Sequence, residues 1–124
     1  MTVVFSLTGT LARMPGNHNE WAVQQPLLGK PLNPEATYEV YVSVRVEKTG
    51  EAGVAFTAGA YDVKNKIFMP AISVKCADLA DGQYHTYKLG EMKLHADVYL
   101  WAAPAKNAEN AKNVWVDRFW VVRK

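Results

Sequence analysis

The chain has one cysteine, Cys76, so it can form no internal disulfide and cannot build a thiolate zinc site from cysteine alone. As one of the most frequently buried residue types, Cys76 is expected in the core rather than as an activated thiol beside Lys75. Excess charge is missing too. Fourteen Lys and Arg stand against twelve Asp and Glu, and a net charge of +2 gives no electrostatic reason to expect nucleic acid or a membrane surface as partner. Long apolar runs are also absent. No stretch approaches the ~18 consecutive apolar residues of a membrane-spanning helix, and Met1 to Thr10 has neither the basic start nor the apolar run of a secretory signal.

The recurrent catalytic patterns are missing as well: no glycine-rich phosphate loop, HExxH, GxSxG or paired-cysteine motif occurs. His18, His85 and His95 are too scattered to suggest a metal site. Glu39 and Glu47 share one face of one predicted strand, and two carboxylates can hydrolyse a glycoside. Eight residues at about 3.3 Å each separate them by about 26 Å, far beyond the ~5–9.5 Å that either glycosidase mechanism uses. No enzyme is therefore expected. With no internal repeat, linker or low-complexity tract, residues 1–124 read as one domain.

Alternation dominates what is present. Tyr38, Val40, Val42, Val44 and Val46 interleave with Glu39, Tyr41, Ser43, Arg45 and Glu47, giving a long strand over Tyr38–Lys48 with one dry face. The turn KTGEAG leads to a second strand, Val54–Tyr61, and the two read as a β-hairpin. Further extended segments are expected at Val3–Leu7, Trp21–Gln24, Ala71–Lys75, Tyr84–Leu89, a central strand from Val98 to Ala103, and Val114–Val122. Turns at Asp62–Lys66 and Asp81–Gly82 separate some of them, and Pro26, Pro31 and Pro34 keep their stretch out of any interior strand. About eight short strands and no amphipathic helix predict an all-β fold, an antiparallel two-sheet β-sandwich.

Four Trp, six Tyr and four Phe supply flat apolar faces suited to a core or to stacking on sugar rings. Tyr38, Phe56, Phe119 and at least one of Trp115 and Trp120 are expected in the core, together with Val40, Val42, Val44, Val46 and Val54. Tyr41 shares its wet strand face with Glu39 and Arg45, an aromatic beside hydrogen-bonding charges. Tyr99 and Trp101 point outward if Val98, Leu100 and Ala102 point inward, and two exposed large aromatics ask for something to cover them. Trp21 is a candidate at the rim, with Tyr61, Asn17 and His18 as weaker ones.

The segments YEVYVSVRVEKTGEAGVAFTAGAYDVKNK, DGQYHTYKLG, VYLWAAP and NVWVDRFWVVR resemble the galactose-binding-like β-sandwich, or carbohydrate-binding, modules of bacterial polysaccharide-active proteins. The resemblance runs from about Trp21 to Arg123 and implies a jelly roll without catalysis. It would be a secreted, extracellular module holding a parent enzyme near a polysaccharide or oligosaccharide, with a neighbouring domain of that parent beside it. Tyr41, Arg45, Tyr99, Trp101, Trp21 and Glu39 are then the ligand-binding candidates. Many such modules carry a structural calcium at an acidic residue of the last strand, to which Asp117 is similar. The alternative is a structural or protein-interaction sandwich that binds no sugar, its aromatic face covered by protein.

Overall fold

The computed structural model describes residues 3–15, 23–79 and 81–124, the first stretch and Val23 through their backbone only. Eight strands follow one another: β1 (Val3–Pro15), β2 (Val23–Pro26), β3 (Thr37–Lys48), β4 (Val54–Asp62), β5 (Ile67–Lys75), β6 (His85–Lys93), β7 (Val98–Pro104) and β8 (Ala111–Arg123). They form two four-stranded sheets, ordered β1-β8-β3-β6 and β2-β7-β4-β5, with every pairing antiparallel. This is the predicted two-sheet sandwich, and Cys76–Asp78 adds a single 3-10 turn.

The alternation of β3 sets the core. Tyr38, Val40, Val42, Val44 and Val46 are buried and meet Phe56, Ala58 and Ala60 of β4, Val98, Leu100 and Ala102 of β7, and Val114, Val116, Phe119 and Val121 of β8. Each fully buried aliphatic side chain of this kind stabilises the fold by roughly 1.5–3 kcal/mol relative to leaving it in water. Val54 is only half-buried, because it stands at the margin of its sheet opposite Lys75, ahead of a bulge. The Tyr38 hydroxyl, carried into the interior by its ring, accepts the backbone N–H of Asn33 at 2.8 Å. Cys76 is buried as expected, which pushes its thiol pKa up.

The predicted β3–β4 hairpin does not form. β3 pairs with β8 on one edge and β6 on the other, which leaves no edge for β4; β4 lies in the opposite sheet between β5 and β7. The intervening segment crosses between sheets, held by other loops. The N–H groups of Thr49 and Gly50 donate to the Asn110 carbonyl, and Asn107 Nδ2 donates to the carbonyls of Ala52 and Val54. Gly53 sits in this crossing at φ +74°, and a Cβ there would lie 2.8 Å from Asn107 Nδ2. The true hairpin is β4–β5, turning through 63–66.

β8 departs from simple alternation. Val44 pairs with Val116 and Ser43 with Arg118, so Asp117 is an extra residue on β8 and the strand changes phase. Val114 and Val116 point inward before this bulge, Phe119 and Val121 after it. Trp115 and Trp120, separated by an odd number of positions, therefore both face outward. The expectation that one of them is core is wrong, because unbroken period two assigned them opposite faces.

Candidate functional site

The two sheets present two aromatic faces on opposite sides of the molecule, and the candidates are divided between them. Glu39, Tyr41 and Arg45 lie on the outer face of β1-β8-β3-β6, while Tyr99 and Trp101 lie on the outer face of β2-β7-β4-β5. They cannot all serve one ligand surface. Trp21, Asn17 and His18 lie outside the described residues.

On the first sheet the functional-looking groups are occupied by one another. Tyr41 and Trp120, cross-strand partners, stack with ring centroids 5.6 Å apart and planes at 14°. Arg45 lies over Trp115, its guanidinium carbon 4.7 Å from the ring centroid, and donates from Nε to the Gly82 carbonyl at 2.5 Å. The Tyr41 hydroxyl donates to Glu39 Oε2 at 2.8 Å, and that carboxylate raises the Tyr41 pKa. Glu39 was expected on a wet face; it does face outward, yet only 7% of it is exposed, with Tyr41 bonded to it and Lys88 Nζ at 3.8 Å.

Glu39 also opposes Glu91 across the β3–β6 ladder, a pair of carboxylates that a glycosidase would need poised as acid and base. Here cations neutralise them. Lys124 and Lys88 donate to Glu91 at 2.5 and 2.7 Å and hold its pKa at about 2, the opposite of the raised value a general acid requires.

The second sheet offers a different surface. Across its strands run Pro26, Tyr99, Tyr61 and Phe68, one residue from each of β2, β7, β4 and β5 in register. Tyr61 lies between its neighbours, its ring centroid 4.9 Å from that of Phe68 and 5.5 Å from that of Tyr99, at tilts of 59° and 50°. Phe68 is 81% exposed. One step along the strands the row reads Gln24, Trp101, Gly59 and Ala71, and beyond it stand Ala103, Thr57 and Ser73.

The ridge Tyr99–Tyr61–Phe68 thus borders a floor of small residues in which Trp101 stands, half-buried, with no ring partner or hydrogen bond among the described residues. A flat apolar face with no ring or hydrogen-bond partner among the described residues is suited to stack on the C–H face of a pyranose. Gly59 keeps that floor low because no side chain fits there: a Cβ would lie 2.5 Å from Ala71 Cβ.

A hollow of about 450 Å³ opens at the sandwich rim beside this face, lined by Pro34, Lys64, Asn65, His95, Ala96 and Asp97. Under it, Asp62 accepts the Asn65 backbone N–H at 3.0 Å and side-chain amide at 2.8 Å, with His95 Nε2 at 2.9 Å. These bonds hold the Asp62 carboxyl down at about 2 and fix the β4–β5 turn. Asp117, the calcium candidate, sits on the opposite sheet at the β8 bulge, its carboxylate 3.0 Å from Arg118 Nε. Calcium takes six or more oxygens. Among the described residues no three His, Cys, Asp or Glu side chains form a group that could hold a metal ion, and Asp117 is paired with Arg118 instead.

Sequence reasoning overlooked Phe68 and ranked Tyr61 low. The signal available was the β4–β5 hairpin: an eight-residue stretch from Tyr61 to Phe68 around a KNK turn places both rings on one face. Trp115 and Trp120 escaped because a bulge leaves no mark in hydropathy.

No protein-family model matches the sequence, and no curated protein sequence matches it. Solved structures do match in fold. The carbohydrate-binding module CBM6cm-2 from Cellvibrio mixtus lichenase 5A, in complex with cellotriose, aligns over 99% of both chains with a TM-score of 0.55 and 10% identity. The CBM22-1 xylan-binding domain from Paenibacillus barcinonensis aligns over 98% of this chain and 94% of its own, with a TM-score of 0.54 and 11% identity. The Clostridium thermocellum xylanase 10B CBM22-1-GH10 modules, complexed with xylohexaose, align over 99% of this chain at a TM-score of 0.57 and 12% identity, and the match spans 29% of that longer chain. Over nearly its whole length the chain therefore has the β-sandwich fold of the CBM6 and CBM22 carbohydrate-binding modules of bacterial glycoside hydrolases.

Proposed function

We propose that this chain is a noncatalytic carbohydrate-binding module that takes a polysaccharide on the outer face of β2-β7-β4-β5. The observation that carries this reading is the row Tyr99–Tyr61–Phe68 beside Trp101, which has no ring or hydrogen-bond partner among the described residues. Trp101 stacks on a pyranose ring, the ridge borders the chain laterally, and Gln24, Thr57 and Ser73 exchange hydrogen bonds with hydroxyls. Affinity is modest, since each hydroxyl trades water bonds for protein bonds at little net gain. The fold's occurrence within a longer glycan-acting chain supports a place in a larger parent protein, where the module holds an enzyme near its polymer.

Calorimetric titration with xylan, β-glucan, mannan and galactoside oligomers tests the proposal. Saturable binding that weakens in Trp101→Ala is the expected result. A folded sample that binds no glycan, or whose aromatic face is buried against a neighbouring domain of its parent, would make it an interaction sandwich instead.

A further inference from the structure

Charge is distributed unevenly between the two outer faces. On β1-β8-β3-β6 the outward acids are paired: Glu91 with Lys88 and Lys124, Glu39 with Lys88, and Asp117 with Arg118, while Glu47 accepts from Asn113. The outward positions of β2, β4, β5 and β7 carry no carboxylate at all, and their one charge is Lys75, which follows Ser73 on β5. The β4–β5 turn adds Lys64 and Lys66 beside Phe68, both exposed. None of these three lysines has an acid within 4 Å among the described residues.

The turn that carries two of them is fixed rather than loose. Asn65 is bonded twice to Asp62, which His95 holds from the other side, and Lys66 adopts the left-handed conformation at φ +55°, disfavoured for a residue with a Cβ. Of the two acids nearest this turn, Asp62 is committed, buried under Asn65 and His95. Asp97 is half-exposed: its carboxylate stands 3.8 Å from His95 Nδ1, which accepts the Asp97 backbone N–H, and it lines the rim hollow with Lys64 at more than 4 Å from that lysine. Lys64 and Lys66 at one end of β5 and Lys75 at the other thus stand unpaired within 4 Å among the described residues.

We propose that the polymer bound on this face is an acidic glycan, whose carboxylate or sulfate groups are received by Lys64, Lys66 and Lys75 while its rings lie on Trp101 and the Tyr99–Tyr61–Phe68 ridge. This rests on the carbohydrate-binding reading of that face and adds the charge class of the ligand. Anionic groups spaced along a stiff chain meet cations at either side of the floor, and outward strand positions without carboxylates avoid the repulsion that would reject such a chain.

The test uses the full chain with polygalacturonate, alginate and chondroitin sulfate, each beside a neutral counterpart made by carboxyl reduction or desulfation. At low ionic strength at least one acidic form should bind roughly 3–10-fold more tightly than its neutral counterpart. The advantage should shrink as salt approaches ~0.15 M, where the screening length falls to about 8 Å. A triple variant, Lys64→Gln, Lys66→Gln and Lys75→Gln, checked for an unchanged melting temperature, should lose that preference; a parallel set on Lys106 and Lys112 should not. Equal or tighter binding of every neutral form would overturn the acidic assignment and leave the glycan face standing. Binding to anionic phospholipid vesicles with no glycan bound would overturn both, as would failure to bind any acidic or neutral polysaccharide.

Discussion

Tyr61 of β4 and Tyr99 of β7 meet across the strand ladder with ring centroids 5.5 Å apart, and this contact joins the hairpin that carries Phe68 to the strand that carries Trp101. Residues from three strands become one continuous surface through it. On the opposite sheet, the comparable contact of Tyr41 with Trp120 closes a pair upon itself.

Trp101→Ala should weaken glycan binding by ~1–3 kcal/mol, taking the worth of an aromatic side chain stacked on a nucleobase as the guide. The stability cost should be smaller than for a core aromatic, because the side chain is only half-buried. Titration and urea melts on the same variant separate the two effects; a loss of ~3–5 kcal/mol in stability would mark the residue as core instead.

The bulge at Asp117 predicts unequal costs for adjacent aromatics. Phe119→Ala should destabilise the fold by ~3–5 kcal/mol through the cavity it leaves. Trp120→Ala should cost roughly 0.5–1.5 kcal/mol in lost ring contact with Tyr41, plus the modest area it covers. Equal costs in urea unfolding would contradict the change of phase.

Acid should loosen the β4–β5 turn. The Asp62 carboxyl is depressed from the ordinary 3.8 to about 2 in the folded protein, so its stabilisation is complete above about pH 4 and is lost as pH falls toward 2. Asp62→Asn should therefore lower the melting temperature at pH 7, and its gap from the parent should narrow steadily between pH 4 and pH 2. A gap constant across that range would show that the bonds to Asn65 and His95 contribute nothing through charge.

Chelation should leave the melting temperature unchanged, since Asp117 is engaged by Arg118 and belongs to no metal-holding group of side chains among the described residues. Added calcium should not raise it either. A rise with calcium that disappears in Asp117→Asn would reinstate the ion at the last strand.

Strand alternation made the sandwich legible because β3 is regular: five inward residues in a row define a dry face that nothing else explains. The same logic placed Tyr99 and Trp101 outward, where they stand. It failed wherever the ladder is irregular or pairing is long-range. One extra residue at Asp117 turned both Trp115 and Trp120 outward, and the apparent β3–β4 hairpin gave way because β6 and β8, far along the chain, occupy both edges of β3. The split of Tyr41 and Arg45 from Tyr99 and Trp101 was likewise invisible, since which strand joins which sheet depends on those distant pairings. Phe68 was legible only through its partner Tyr61.

The most direct measurement is chemical-shift mapping of isotope-labelled protein during titration with acidic and neutral oligosaccharides, read at backbone amides and at the four indole N–H groups. Saturable shifts at the Trp101 indole and at Tyr61, Phe68 and Tyr99, with Trp115 and Trp120 unmoved, are the predicted result. Saturable shifts confined to Trp115, Trp120 and Tyr41, or none with any glycan, would contradict the assignment of the β2-β7-β4-β5 face as the binding surface.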